Sequence, residues 1–406
     1  MAGEHVSRRG FLQAGAVAAA TVAAVPATSA LAEKEEKTSL VPTRPLGKTG
    51  EKISMLGLGA SRNMETRFFN SAKQEGIRYI DTADCYFDGA HEKAIGDWLK
   101  NENRKDWFVV SKDHPKSPDQ WVEMLDRRLA NLGSDYLDAY FIHCYGDEEY
   151  YDHGFKSWPT SKEWAKAADK MKKAGKIRFA GYACHCQPVK LRSELLTLTA
   201  KSGWVDMIMI GNNPSLVKKN AVFNKALDAC YEAGIGLVSM KECKNARDPE
   251  IIRKLVPEFE ALGLTTYATI LTAVWTDQRF ASVCSAMDNL KKLRENVATA
   301  RSFKPFTKEQ LASAIKVIDH QPQTYCAACS GNCRKAGKTT ADLNAIARYL
   351  TYYEEMGDHK TARELFAALP PESRDLSNID VHAASCACSS HLDFARVVNS
   401  AKEKLA

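Results

Sequence analysis

The sequence predicts an α/β fold: a (β/α)8 barrel of the TIM type followed by a small, mainly helical C-terminal domain. Three observations carry this. Between Arg44 and Arg301, eight short apolar runs alternate with amphipathic stretches, over the ~250 residues that such a barrel needs. No Gly-x-Gly-x-x-Gly follows the first run, which argues against a doubly wound open sheet. Beyond Arg301 the strand-like runs stop and helical periodicity takes over.

The chain is expected to begin with an export segment, residues 1–32. "SRRGFLQ" (Ser7 to Gln13) sets two arginines ahead of an alanine-rich apolar stretch, Ala14 to Val25, and Ala30 to Ala32 offer small residues for cleavage. Arg8 and Arg9 with Phe11 and Leu12 resemble a bacterial twin-arginine signal. That resemblance implies the twin-arginine translocation machinery as a partner and a periplasmic or otherwise exported location. A transmembrane anchor is the alternative, but the run is short and only weakly hydrophobic. Removing Glu4, Arg8 and Arg9 lowers the formal charge of +6 by one. The remaining surplus is dispersed, which implies neither a nucleic-acid nor a membrane partner.

Residues 40–302 are assigned to the barrel. Its runs are "KISMLGLGA", "IRYIDTA", "WFVVSK", "LDAYFIH", "IRFAGYA", "VDMIMIG", "IGLVSMK" and "FASVCSAM". Helical stretches such as "PDQWVEMLDRRLANLG" and "KEWAKAADKMKKAG" separate them and end in glycine, a common helix stop.

Functional groups of such barrels gather at the carboxyl ends of the strands. Those ends supply Asp81 and Tyr86 after the second run, Lys112 at the third and His143 at the fourth. A tyrosine with an unperturbed pKa of ~10 is a poor acid at neutral pH. A nearby ammonium favours the phenolate, and a carboxylate offsets the cost of burying that ammonium. A neutral histidine can hold a carbonyl oxygen beside the tyrosine hydroxyl. The set suits protonation of a carbonyl as hydride arrives.

With "RPLGKTGEKISMLGLG", "GIRYIDTADCY", "VVSKDHP", "SDYLDAYFIH" and "GKIRFAGYA", the segment from Arg44 to Arg301 resembles the aldo-keto reductases. The resemblance implies a catalytic tetrad: Tyr86 as proton donor, Lys112 as the group that lowers its pKa, Asp81 as partner of Lys112, and His143 as orienter of substrate. It also implies hydride exchange between NADP(H) and a small carbonyl or alcohol substrate.

The cofactor side departs from the family pattern. A serine and a polar amide are usual after the fifth strand, where this chain has Ala183 and Cys184. The usual glutamine of strand six is Met209, and the aromatic that stacks on nicotinamide is Met240. Methionine can cover a ring face but does not supply those hydrogen bonds. The phosphate region is better kept in character: Lys241, Lys244 and Arg247 follow the seventh run, and Lys292, Arg294 and Asn296 follow the eighth. These six suit phosphate and adenine binding, and the basic members equally suit a solvated surface. The basic residues favour NADP over NAD, because they can pair with an additional phosphate.

Residues 303–406 form the helical extension, with "TKEQLASAIKVIDH", "TTADLNAIARYLTYYEEMG" and "TARELFAALP" as its clearest helices. "CAACSGNC" places Cys326, Cys329 and Cys333 close together, and "SCACSSH" adds Cys386 and Cys388. The arrangement resembles an iron–sulfur extension found in one branch of the family. Four thiolates can hold a 4Fe-4S cluster or a structural zinc. Disulfides, which suit an oxidising periplasm, and free thiols are the alternatives. Cys85, Cys144, Cys184, Cys186, Cys243 and Cys284 lie at or just beyond strand ends, either as small apolar fillers or as a thiol-lined mouth.

Three functions fit: a dinucleotide-dependent oxidoreductase, an exported iron–sulfur electron-transfer protein on a reductase scaffold, and a non-catalytic binding protein. The tetrad favours the first, the altered nicotinamide contacts favour the other two, and the cysteine motif favours the second. Free nicotinamide cofactor is not expected outside the cytoplasm, so an exported reductase would have to retain its dinucleotide or receive electrons through a metal centre.

Overall fold

The computed structural model describes residues 40–145, 158–184, 189–212, 214–242, 255–320, 326, 332–388 and 392–406. Residues 1–39, which carry the twin-arginine pattern, lie outside them. No helix among the described residues is long and apolar enough to cross a membrane.

Each of the eight apolar runs contributes a strand to one closed parallel barrel. The first run divides in two. Its leading part, β2 (Lys52–Ser54), pairs antiparallel with β1 (Thr43–Pro45), and only β3 (Leu56–Leu58) enters the barrel. β4 (Tyr79–Asp81), β5 (Phe108–Asp113), β6 (Leu137–Tyr145), β7 (Ile177–Cys184), β8 (Met207–Gly211), β9 (Gly236–Met240) and β10 (Phe280–Ser285) follow, each beside its predecessor. The barrel closes where Val283, Cys284 and Ser285 face Leu56, Gly57 and Leu58.

Both faces of these strands are buried, so the runs read as continuously apolar rather than alternating. The alternation survives in where the side chains go. Val110, Phe141, Ala183, Met207 and Met209 fill the barrel interior, while Val109, Tyr140, Tyr182 and Ile208 meet the surrounding helices. Leu46 and Ile53 of the hairpin join the interior cluster, which explains the divided first run: its leading part plugs the barrel. Gly236 must lack a side chain here, because a Cβ would sit 2.4 Å from Leu46 Cδ1.

The helices begin and end as their caps dictate. In the helix Pro118–Leu132, Ser117 Oγ accepts from the Gln120 amide, Pro118 occupies the first turn, and Gly133 stops the helix at φ 57°. This helix carries Arg128 into a buried polar layer beside β5. Its guanidinium meets Glu92 at 2.9 Å and Asp113 at 3.2 Å, while Ser111 and Asn131 also donate to Glu92 and Tyr140 donates to Asp113. One guanidinium serves two buried carboxylates, and burial, followed by the charge of Asp84, pushes Asp113 up to about 8.

Beyond the barrel, the helix Lys308–His320 lies against the helix Thr266–Thr276 and shares a small core with Phe259, Ile270 and Ala273. The helices Asn332–Ala336, Leu343–Met356, His359–Ala368, Val381–Cys386 and Phe394–Lys404 gather around a core of their own, including Leu343, Tyr349, Phe366 and Phe394. Residues 40–406 pack as one compact unit.

Candidate active site

The four strand-end residues converge. β4 stops at Asp81, and the turn that follows carries Tyr86 at the barrel end, just ahead of Phe87 (φ 52°) and Asp88 (φ 55°). β5 brings Lys112 beneath it. Lys112 Nζ donates to Asp81 Oδ1 at 2.6 Å, to the Thr82 carbonyl at 2.7 Å and to Tyr86 Oη at 3.4 Å. β6 supplies His143, whose ring stands edge-on to Tyr86 at 5.4 Å between centroids. All four are buried, Lys112 completely. Burial pushes the Asp81 carboxyl up, and the charge and hydrogen bond of Lys112 pull part of the way back.

Around this group lies a second ring of polar side chains. Asp84 is held by its amide, which donates to the Lys112 carbonyl at 3.1 Å, and its carboxylate faces His114 Nδ1 at 3.5 Å. Burial alone would raise Asp84, but His114 and then Arg128 hold it below its ordinary value. Cys85 Sγ lies 3.5 Å from His143 Nδ1, and the His114 and His143 rings are 4.6 Å apart. His91 is fully buried behind Tyr86. The Ser61 amide donates to its Nε2, so Nδ1 carries the proton and donates to Thr82 Oγ1 at 2.9 Å.

The extension reaches this mouth. Gly357, at φ 66°, ends the helix Leu343–Met356 directly against Phe87, so that a Cβ would lie 2.3 Å from the ring. Asp358 caps the next helix through the Thr361 amide at 3.2 Å, and its carboxylate accepts from the Cys85 thiol. Sequence reasoning passed over Asp84, His114 and Asp358. His114 was findable, two residues after Lys112 at the same strand end. Asp358 was not, because only the packing of the extension brings it there.

The proposed cofactor residues are scattered by comparison. Asn296 is buried and donates to Ser285 Oγ at 3.3 Å. Arg294 is exposed on the same helix, Leu290–Arg301, and Lys292 pairs with Asp288 at 3.0 Å. Lys241, at φ 66°, places its ammonium 5.5 Å over the ring of Tyr352 from the extension. Lys244 and Arg247 lie outside the described residues. Ala183, Met209 and Met240 face the barrel interior, whereas Cys184 turns outward to the helix layer. Asn212, just past β8, has a buried Oδ1 that accepts no hydrogen bond among the described residues.

Of the terminal cysteines, Cys326, Cys333 and Cys388 share the core of the extension and Cys386 is exposed. Among the described residues these four do not bring three ligand atoms together, and Cys329 lies outside the described set. Cys186 and Cys243 also lie outside it.

Residues 56–245 match the aldo/keto reductase family. The chain is 24% identical to an uncharacterized oxidoreductase of Bacillus subtilis over 307 residues, which cover 66% of this chain and 94% of that protein. It is 26% identical to an NADP(+) aldo-keto reductase of Schizosaccharomyces pombe, covering 39% of this chain and 51% of that protein. With a glyoxal reductase of Bacillus subtilis it shares 31% identity over 32% of this chain and 46% of that protein. It thus spans about half the length of the last two. An aldo-keto reductase of Bacillus halodurans, solved in its holo form, has the same fold at a TM-score of 0.56 and 20% identity, over 68% of this chain and 96% of that one. A thermostable aldo-keto reductase solved with the inhibitor epalrestat aligns at a TM-score of 0.55 and 22% identity, over 68% of this chain and 99% of that one. The matched domain lies within the barrel, and with its homologues it indicates that the chain is an oxidoreductase.

Proposed function

We propose that the chain interconverts a small carbonyl compound and its alcohol, with Tyr86 as the acid that protonates the carbonyl oxygen. The observation that carries this is the position of Lys112 Nζ, at 2.6 Å from Asp81 Oδ1 and 3.4 Å from Tyr86 Oη. An ammonium held there stabilises the phenolate left after proton transfer, and Asp81 offsets the cost of keeping that ammonium dry. His143, set edge-on to Tyr86, orients the carbonyl oxygen toward the hydroxyl.

NADP(H) is the cofactor of this reading and supplies the hydride when bound. Two features of the chain support its fit. The N-terminus of the helix Leu290–Arg301, with Arg294 and Asn296, suits a phosphate and adenine end. At the other end, the buried Oδ1 of Asn212 offers an acceptor to a carboxamide where Ala183, Met209 and Met240 offer none. The NADP(+) dependence printed for the Schizosaccharomyces pombe relative agrees.

Tyr86→Phe tests the assignment. Turnover of small aldehydes and dicarbonyls, a choice prompted by the glyoxal reductase among the relatives, should fall by ~10²–10⁴. Calorimetric affinity for NADPH should stay within a few fold of the parent, and above that for NADH. Unaltered turnover removes Tyr86 from the mechanism.

Export through the twin-arginine route to the periplasm belongs to the same proposal, supported by Arg8, Arg9, Phe11 and Leu12 ahead of an alanine-rich stretch. So does a metal centre on the terminal cysteines, a 4Fe-4S cluster before zinc, supported by the spacing of Cys326, Cys329 and Cys333 and by the shared burial of Cys326, Cys333 and Cys388.

A further inference from the structure

We infer that the barrel mouth contains a binding site for one divalent cation of the zinc class, formed by Asp84, Cys85, His114 and His143. Each residue offers one ligand atom, and the four atoms all lie within 4.8 Å of one another. Ligands around a tetrahedral zinc lie ~3.3–3.8 Å apart, given its bonds of ~2.0–2.3 Å to nitrogen, oxygen and sulfur. Two of the pairs already have that spacing: Cys85 Sγ to His143 Nδ1 and Asp84 Oδ1 to His114 Nδ1 are each 3.5 Å apart. The remaining adjustment is about 1 Å at the widest pair, within reach of side-chain torsions.

The donor set selects the ion. Two imidazoles, a thiolate and one carboxylate match borderline-soft zinc, and cobalt as its spectroscopic substitute. Magnesium and calcium take oxygen ligands and fit poorly. The Asp84 carboxylate and the Cys85 thiolate offset the two charges of the ion, and the Asp358 carboxylate adds a further negative charge beside the sulfur. The neighbouring cations are committed elsewhere: Lys112 to Asp81, and Arg128 to Glu92 and Asp113. Binding replaces the thiol proton, which leaves to solvent as the sulfur–metal bond forms.

Rigid elements hold the ligands. Asp84 and Cys85 lie in the turn three and four residues past β4, His114 follows β5 and His143 lies within β6, so the ends of three adjacent strands present the site. The extension closes it from outside, with the Asp358 carboxylate on the Cys85 thiol and Gly357 against Phe87. A bound ion would tie the ring of His143 to the loop that carries Tyr86. The site therefore reaches beyond the reductase reading and does not depend on it, since binding is measured with neither dinucleotide nor carbonyl present.

The test is anaerobic titration of chelator-treated full-length protein with Co²⁺. The expected result is one ion, beyond any taken up by the terminal cysteines, with a thiolate-to-cobalt charge-transfer band in the near ultraviolet and tetrahedral visible bands, displaced by one equivalent of Zn²⁺. Cys85→Ser should bind one cobalt ion fewer and lose the charge-transfer intensity that goes with it. His114→Gln should weaken cobalt binding by at least the ~10–100-fold that even outer-shell changes cost. Unchanged stoichiometry and band intensity in Cys85→Ser place the ion on other thiols and overturn the inference, as does wild-type protein that binds no cobalt. Where Cys85→Ser fails to fold by circular dichroism, His114→Gln decides: unchanged cobalt affinity overturns it equally.

Discussion

His91 shows how much a single buried ring can set. Its Nε2 accepts from the Ser61 amide and its Nδ1 donates to Thr82, leaving no place for a second proton. Burial, and then the charge of Lys112, lower its pKa to about 3. The unfolded chain titrates near ~6.5. Between these values the unfolded state binds a proton that the folded state refuses, so stability falls as pH drops from ~6.5 towards 3, by about 1.4 kcal/mol per pH unit from this residue. Urea unfolding at pH 6.5 and pH 5 checks this. In His91→Gln, whose amide stays neutral, the loss between the two pH values should be smaller than in the parent by about 1.6 kcal/mol. Parallel losses would show that His91 does not drive the acid sensitivity.

At the scale of an element, the helix Lys308–His320 decides where the barrel stops. The sequence places it with the extension, because it follows the last strand–helix unit and has the same periodicity as the helices beyond. Its packing ties it to the barrel side. Ala314, Val317 and Ile318 are buried against Val256, Phe259, Ile270 and Ala273, and Asp319 accepts from Ser215 and Lys219 at 2.6 and 2.7 Å. Each buried aliphatic or aromatic side chain contributes ~1.5–3 kcal/mol, so the shared face matters. A chain ended after Ser302 should melt several degrees below one ended after His320. Equal melting temperatures would mean that the helix does not support the barrel.

Across the whole molecule, the extension does two things. It forms a separate core, and it leans over the barrel mouth through Tyr352, Gly357 and Asp358. If the terminal cysteines hold a metal centre, its binding energy is folding energy for that core. Cys329→Ser should then lose iron or zinc from anaerobically purified protein and sensitise residues 332–406 to proteolysis while the barrel resists. Protein without either metal, with those thiols paired as disulfides, would refute the centre. The sequence by itself determined the barrel, because eight strands buried on both faces must be written as apolar runs, and closure leaves them one sheet. It determined Asp81, Tyr86, Lys112 and His143 for a related reason: strand ends are local, and a residue's place in its run sets its place at the mouth. Three other things depended on tertiary structure. Met209 and Met240 point inward while Cys184 points outward, which follows from strand register. Lys241 meets Tyr352 and Cys85 meets Asp358, contacts between segments more than one hundred residues apart that no local pattern encodes. The cluster of Asp84, Cys85, His114 and His143 likewise needed three strands side by side, because its ligands share no motif and become neighbours only when the sheet closes around them.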